Sequence, residues 1–309
     1  MKILLLGHTG FVGTNVYNEF KNKNNIVGYS KSNGLDLNNL DNFVEILKKE
    51  SPDVIVNCAA KVGSLNYVTQ IAADILDVNL RILLNIYKGI EKVNNKIVLI
   101  NPVANCAFPG DLNEYYEDDL WNGRIHQSVL AYGSTRRMMD VFSSCYKMQY
   151  GIKTILLFVP NMYGPYDSTD PNKAHALNAL VSRIVKAKKT NKEHIDVWGS
   201  GIAIREWLFA PDFARIIRTI IEKTDVLKLS EPVNIAQHFG LSISDLIEII
   251  VDTTMFKGEI KWDRSMPDGA PKKVMNDLRF KKFFPSFQFT KLEDGLKETI
   301  KYYENVFPY

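Results

Sequence analysis

Short apolar runs recur through the first half of the chain, at Lys2–Leu6, Ile26–Tyr29, Val54–Asn57, Ile97–Ile100 and Thr154–Val159. The stretches between them are long enough for helices, and that alternation is the signature of βαβ units and a parallel sheet. Leu40–Lys49, Ile71–Val93 and Ser134–Tyr150 carry apolar residues at three- and four-residue spacing, as helices packed on one face of a sheet require. The pattern predicts an α/β chain with a doubly wound parallel sheet. Beyond Val159 the rhythm changes. Pro160, Gly164, Pro165 and Pro171 punctuate a loop, followed by a helix near Ala174–Lys188, a strand near Val197 and further helices, which predicts a smaller α/β region over the strand ends. Val233-Asn234-Ile235 reads as a late strand returning to the main sheet. The expected division is 1–165, with 230–242 returning to it, and a second domain from 166–229 and 243–309. No internal repeat or low-complexity tract interrupts this.

A chain of 309 residues can bury a large core. Its net charge of +3 is spread without blocks of one sign, so neither a nucleic-acid footprint nor a polybasic membrane patch is expected. Small molecules and other copies of the chain are the expected partners. Cys58, Cys106 and Cys145 are widely separated and odd in number, which argues against a disulfide framework or a thiolate metal site and for a reduced, cytoplasmic setting. The apolar opening Ile3-Leu4-Leu5-Leu6 breaks at Gly7-His8, far short of a signal-peptide core or a spanning helix.

Candidate chemistry begins at that break. In Gly7-His8-Thr9-Gly10-Phe11-Val12-Gly13, three glycines follow a strand and open a helix. The backbone there can turn tightly, approach a pyrophosphate and aim helix N-terminal amides at it, so a dinucleotide seat involving Thr9, Phe11 and Val12 is expected; a ligand-free glycine turn is the alternative. At the end of the second strand an NAD-binder places a carboxylate on the ribose hydroxyls. This chain has Ser30-Lys31, a hydroxyl and an ammonium suited to a 2′-phosphate, which favours NADP(H). The alternative is that Lys31 is only a solvated loop charge. Asp36-Leu37 matches the acidic-plus-apolar pair that touches adenine in such folds.

With Ala59-Ala60-Lys61-Val62-Gly63, Asn105-Cys106-Ala107-Phe108-Pro109, Pro160-Asn161-Met162-Tyr163-Gly164-Pro165, Val197-Trp198-Gly199-Ser200-Gly201, Arg205-Glu206-Trp207 and Pro267-Asp268-Gly269-Ala270-Pro271-Lys272-Lys273 added to the glycine loop, the chain resembles the GDP-L-fucose synthases nearly end to end. These are extended short-chain dehydrogenase/reductases with a Rossmann-type domain, which epimerise and then reduce a 4-keto-6-deoxy sugar nucleotide. The resemblance implies that Tyr132 delivers a proton to a carbonyl oxygen as hydride arrives. The lysine that lies four residues on in such enzymes is here Arg136, which keeps the charge but is planar and no proton donor; Arg137 does not rescue the motif. If the arginine only weakens the reaction, Arg136→Lys speeds it; a large loss marks a role of its own. The serine position falls at Ala104. Asn105, Ser134 and Ser128 are the available replacements, and the sequence does not choose among them.

The resemblance further implies that Cys106 and His175 exchange protons at carbons beside the keto group. It places Ala59, Ala60, Pro160, Asn161 and Met162 around the cofactor, with Asn161 orienting substrate or nicotinamide. Lys61 and Val62, Arg183 and Arg205, Trp198, and Lys272 or Lys273 fall toward the sugar nucleotide. His8 reads as a packing or phosphate residue; His126, His194 and His238 have no company that suggests chemistry. Metal is not expected. The leading expectation is an NADPH-dependent reductase, with or without epimerase activity, of a GDP-linked 4-keto sugar in bacterial surface-polysaccharide synthesis. Lysine-, asparagine- and isoleucine-rich usage points to an AT-rich genome and so to a GDP-heptose derivative. The alternatives are an epimerase without net reduction and a non-catalytic NADP-binding protein. Dimers of the family pack their long helices, and a homodimer through Ile71–Val93 and Ser134–Tyr150 is expected.

Overall fold

Each of the first three strands, β1 (Ile3–Leu6), β2 (Ile26–Tyr29) and β3 (Val54–Asn57), is four residues long, and β1 and β3 are buried throughout. In the computed structural model they join β4 (Val98–Ala104), β5 (Thr154–Val159) and the strand Val233–Asn234 in one six-stranded sheet. The order is β2-β1-β3-β4-β5 with Val233–Asn234 outermost, and every neighbouring pair is parallel. The structure describes residues 1–23, 25–170, 173–223, 229–266 and 268–309. Pro171 and Pro267, read above as loop punctuation and as the head of a motif, lie outside the described residues.

Burial on both faces follows from the two-residue period of a strand. Ile3, Leu5, Val54, Val56, Ile155 and Leu157 face α1 (Phe11–Phe20) and the helix Ala210–Glu222 through Val16, Phe20, Phe213 and Ile217. Leu4, Leu6, Ile55, Leu99 and Leu156 face the opposite way, onto α2 (Leu40–Glu50) and α4 (Ala72–Val93). The helix expected over 71–93 is α4 with Ile71 as its N-cap; the backbone of Ile71 (φ −115°, ψ 40°) separates it from a short preceding helix, α3 (Leu65–Gln70). The last main helix, α5 (Leu130–Tyr150), starts four residues earlier than the apolar spacing suggested. Tyr132 therefore sits inside its first turn, held by the helix rather than by the loop before it.

The remaining elements form a separate apolar cluster from the helices Ala176–Lys189, Ile243–Thr254 and Leu292–Val306, including Leu177, Val181, Leu246, Ile250, Leu296 and Ile300. Two short ladders stand between this cluster and the sheet ends. Asn161–Tyr163 pairs with Trp207–Phe209, and Ile204–Arg205 is flanked by Leu241–Ser242 and Lys272–Lys273.

Candidate active site

In an open parallel sheet, ligands bind beyond the carboxyl ends of the strands, where successive crossovers diverge. Here that point lies between β1 and β3, and the glycine loop follows β1, Ala59–Lys61 follows β3, Asn105 follows β4 and Pro160 follows β5. Gly7 has φ 78°, and a Cβ on Gly13 would lie 2.1 Å from the Gly7 carbonyl oxygen, so only glycine lets the loop close onto α1. Gly10 is the N-cap, and a Cβ there would meet nothing nearer than that carbonyl at 3.4 Å. The first amides of α1, from Phe11, Val12 and Gly13, have no partners within the helix, as a pyrophosphate seat requires. His8 turns away to pack on Tyr17 at 5.7 Å, which makes it a packing residue.

At the end of β2, Ser30 caps the short turn Lys31–Asn33, and its hydroxyl lies 2.8 Å from that of Ser32. Two hydroxyls and the exposed Lys31 ammonium form a donor set for a 2′-phosphate, to which Ser32 is an addition the sequence did not suggest. Asp36 is engaged locally, accepting from the Asn38 backbone and side-chain nitrogens at 3.0 and 3.2 Å. Leu37 is a core residue only 5% exposed, so little of it remains to meet an adenine ring.

Beyond β4, Asn105–Ala107 form a tight turn against the first turn of α5. A Cβ on Gly133 would stand 2.4 Å from the Cys106 carbonyl oxygen, so the approach that brings Tyr132 beside Cys106 depends on this glycine. The Arg136 guanidinium lies over the Tyr132 ring, 4.8 Å from its centre, and one of its terminal nitrogens donates to Asn79 Oδ1 at 3.0 Å. Asn79, buried on α4, also accepts from the Lys61 backbone N–H and donates to the Lys61 carbonyl. Arg137 points elsewhere, donating to the Ala107 carbonyl at 2.8 Å, and pins the Asn105–Ala107 turn.

Among the described residues, Asn105 Nδ2 and Arg136 Nε here, with Arg137 Nη2 beside the turn, are buried donors without a partner. An unpaired buried N–H costs about 1–3 kcal/mol and is retained where a ligand takes it up. Ser128 is already engaged, its hydroxyl 2.7 Å from His126 Nδ1. Burial pushes the Tyr132 phenol above its ordinary pKa against the pull of Arg136, so the group is protonated at neutral pH. Burial also raises the Cys106 thiol, while the Lys273 and Arg136 cations work to lower it.

His175 caps the helix Ala176–Lys189 rather than lying within it, and its ring sits 5.1 Å from that of Phe11 in the glycine loop. Its Nδ1 is bracketed by the oxygens of the buried Asp167 at 3.1 and 3.2 Å. Burial acts to raise the Asp167 carboxyl, but the hydrogen bonds and charge of His175 outweigh it and hold the group below the usual carboxylate range.

On the substrate side, parity distinguishes Lys272 from Lys273. In the ladder, Lys273 is opposite Arg205 and Lys272 opposite Ile204, and neighbours along a strand face opposite ways. Lys273 is the lysine whose charge acts on Cys106 and Arg205. Arg205 donates to the carbonyls of Ile204 and Asp268, and Asp268 takes the Ser200 N–H and hydroxyl, both at 2.7 Å, so two of the sequence motifs clasp each other here. Trp198 is 55% exposed and available as a wall. Arg183 donates to the Asp196 carbonyl and must leave it to reach a diphosphate. The Lys61 ammonium meets Asp74 at 3.3 Å, and Asn161 and Met162 run along the ladder with Trp207 and Leu208.

Glu206 holds this side together. Fully buried, it accepts from the backbone of Gln237 and His238 through one oxygen and of Met275 through the other, at 2.6, 3.2 and 2.8 Å. Glutamine offers one acceptor oxygen, and its NH₂ would oppose a backbone N–H. Glu206→Gln should therefore cost about 1–3 kcal/mol in urea unfolding; an unchanged midpoint would show that the latch is idle.

Asp167, Asn79 and Ser32 are the residues that the sequence did not point to. Only Asn79 left a signal: it is a polar residue on the stripe Ile75, Ile82, Leu83 and Ile86, where an unexplained amide implies a buried partner.

A family model described as the NAD dependent epimerase/dehydratase family matches residues 3–236. A "Probable GDP-L-fucose synthase 1" of Oryza sativa subsp. japonica is 28% identical over 309 residues, covering 99% of this chain and 93% of that protein. A crystal structure of a GDP-L-fucose synthetase from Naegleria fowleri bound to NADP is 26% identical with a TM-score of 0.82, covering 98% of this chain and 94% of that one. A GDP-6-OMe-4-keto-L-xylo-heptose reductase from C. jejuni superposes with a TM-score of 0.88 at 22% identity, over 98% and 97% of the two chains, and shows the shared fold.

Proposed function

The chain belongs to the NAD dependent epimerase/dehydratase family, and from that premise we propose that it is an NADP-dependent enzyme that reduces the keto group of a GDP-linked 4-keto sugar. The observation that carries this reading is Tyr132: a protonated phenol under the Arg136 guanidinium, beside Cys106, at the carboxyl end of the sheet. The first turn of α1 would hold NADP(H), with Ser30, Lys31 and Ser32 as donors for a 2′-phosphate, and the cofactor would supply the hydride. Tyr132 gives its hydroxyl proton to the carbonyl oxygen, leaving a phenolate that Arg136 stabilises. Asn105 Nδ2 is placed to donate to the same oxygen, the part a serine would take where Ala104 stands. Arg205 and Lys273 receive the diphosphate, and Trp198 flanks the nucleoside.

Epimerisation belongs to the same proposal through Cys106 and His175. The thiol is raised by burial, so its thiolate depends on the Lys273 and Arg136 cations. Reduction thus has its proton donor ready, whereas epimerisation must first form its base. The likeness to fucose synthases and the AT-rich usage support a place in bacterial surface-polysaccharide synthesis with a GDP-heptose derivative as substrate. A cytoplasmic homodimer is also proposed, pairing along α4 and α5 near the outward-facing Leu65, Leu76 and Leu130. Among the described residues no helix is long and apolar enough to cross a membrane.

The purified protein, NADPH and a GDP-4-keto sugar in deuterated water test the reading. Cofactor oxidation marks reduction, deuterium uptake without oxidation marks an epimerase alone, and neither removes enzymatic function on this substrate class. In the same assay Arg136→Lys should turn over about tenfold more slowly, because an ammonium cannot both bond Asn79 and cover the Tyr132 ring, and a lost charge-assisted bond is worth about 1.5 kcal/mol. A faster variant would mean that the arginine is only an impaired lysine.

A further inference from the structure

His175 and Asp167 form a pair whose geometry assigns a hydrogen. Asp167 is 4% exposed, and its two oxygens are shared unequally. Oδ2 accepts the His175 backbone N–H and an Asn178 side-chain N–H, both at 2.8 Å, as well as facing His175 Nδ1 at 3.1 Å. Oδ1 faces Nδ1 alone, at 3.2 Å. A carboxylate has no hydrogen to give, so Nδ1 must carry one. Asn178 is itself fixed, its amide oxygen accepting the Gly164 N–H at 3.1 Å, and the ring is backed by Phe11.

We propose that Asp167 is a positioning residue that fixes the tautomer of His175, keeping hydrogen on Nδ1 so that Nε2 is the atom that exchanges a proton with bound substrate. This rests on the reading of His175 as a proton carrier. In the exchange, the Cys106 thiolate takes the proton from the carbon beside the keto group and the C–H electron pair moves into the enolate, while His175 Nε2 carries the proton to be given back, its imidazolium charge shared with Asp167. Return of the proton to carbon restores the neutral ring with Nδ1–H intact.

The pair makes an unusual ordering of variants. In Asp167→Asn the amide oxygen must take the place of Oδ2, where two N–H groups converge, which leaves the NH₂ facing Nδ1. Nδ1 then becomes the acceptor, and the ring hydrogen moves to Nε2. In Asp167→Ala the ring loses support but is free to choose its tautomer. A purely structural role would make alanine the worse change.

Deuterium uptake by a GDP-4-keto sugar, with ¹⁵N NMR of the histidine side chains of the same proteins and NADPH binding as a folding control, reads this directly. The expected result is Nδ1–H for His175 in the parent, Nε2–H in Asp167→Asn, and exchange slowed about 10²-fold in Asp167→Asn but less in Asp167→Ala, at the lower end of general acid–base contributions. An unchanged tautomer in Asp167→Asn, or alanine slower than asparagine, overturns the proposal. If the parent exchanges no deuterium while the tautomer still switches in Asp167→Asn, the proton-carrier reading falls and the assignment to Asp167 stands.

Discussion

Tyr132→Phe lowers the rate of NADPH-dependent carbonyl reduction by about 10²–10⁴-fold while NADPH binding is retained. The phenol is the group in the cluster that combines a proton held at neutral pH with a neighbouring cation able to stabilise what remains once the proton has left. Removing the oxygen deletes both functions, but the ring still fills its place beneath Arg136, so α5 keeps its packing. Stopped-flow NADPH oxidation against fluorescence titration of the cofactor separates the two quantities. A variant that reduces the keto sugar at the parental rate would eliminate Tyr132 as the donor, and Cys106 would be the next thiol or hydroxyl to consider.

Gly133→Ala is expected to be nearly as damaging although it touches no ligand. In an exposed helix interior the same change stabilises by about 1 kcal/mol. Here the new methyl would lie 2.4 Å from the Cys106 carbonyl oxygen and 2.9 Å from the Ile125 side chain, and the backbone oxygen cannot swing aside as a flexible side chain would. Either α5 or the Asn105–Ala107 turn must move. Overpacking of this kind costs about 1–3 kcal/mol, and a displacement near 1 Å between reacting groups can cost about 10²-fold in rate. The check is a thermal melt beside the turnover assay, with a lower Tm and a depressed kcat expected together. A more stable and fully active variant would show that the two elements have slack.

Much of this site was legible in the chain because its parts are local. The glycine loop is a contiguous segment whose backbone demands are met only by glycine, so its place after β1 could be read directly. The motifs after β3, β4 and β5 were legible for the same reason, since the parallel sheet sends every carboxyl end to one side. Tyr132 and Arg136 were paired through the family resemblance, and α5 then holds them four residues apart on one helical face.

Residues brought together by packing were harder to read. Lys272 and Lys273 are equivalent as sequence, and only the folded register sets Lys273 opposite Arg205, with its charge acting on Cys106. Asp167 and His175 are separated by a turn whose path the spacing does not give, and their contact requires the helix cap at residue 175. Arg136 reads as a damaged lysine until α4 delivers Asn79 to it across the sheet's covering layer. The sequence by itself determined the layered α/β architecture and the cofactor loop, because strand burial and glycine backbone geometry are set by a residue and its near neighbours. Tertiary structure decided which lysine acts on the thiol, which carboxylate fixes the imidazole and what holds the guanidinium, because those contacts depend on register and helix approach, which no short stretch of chain specifies.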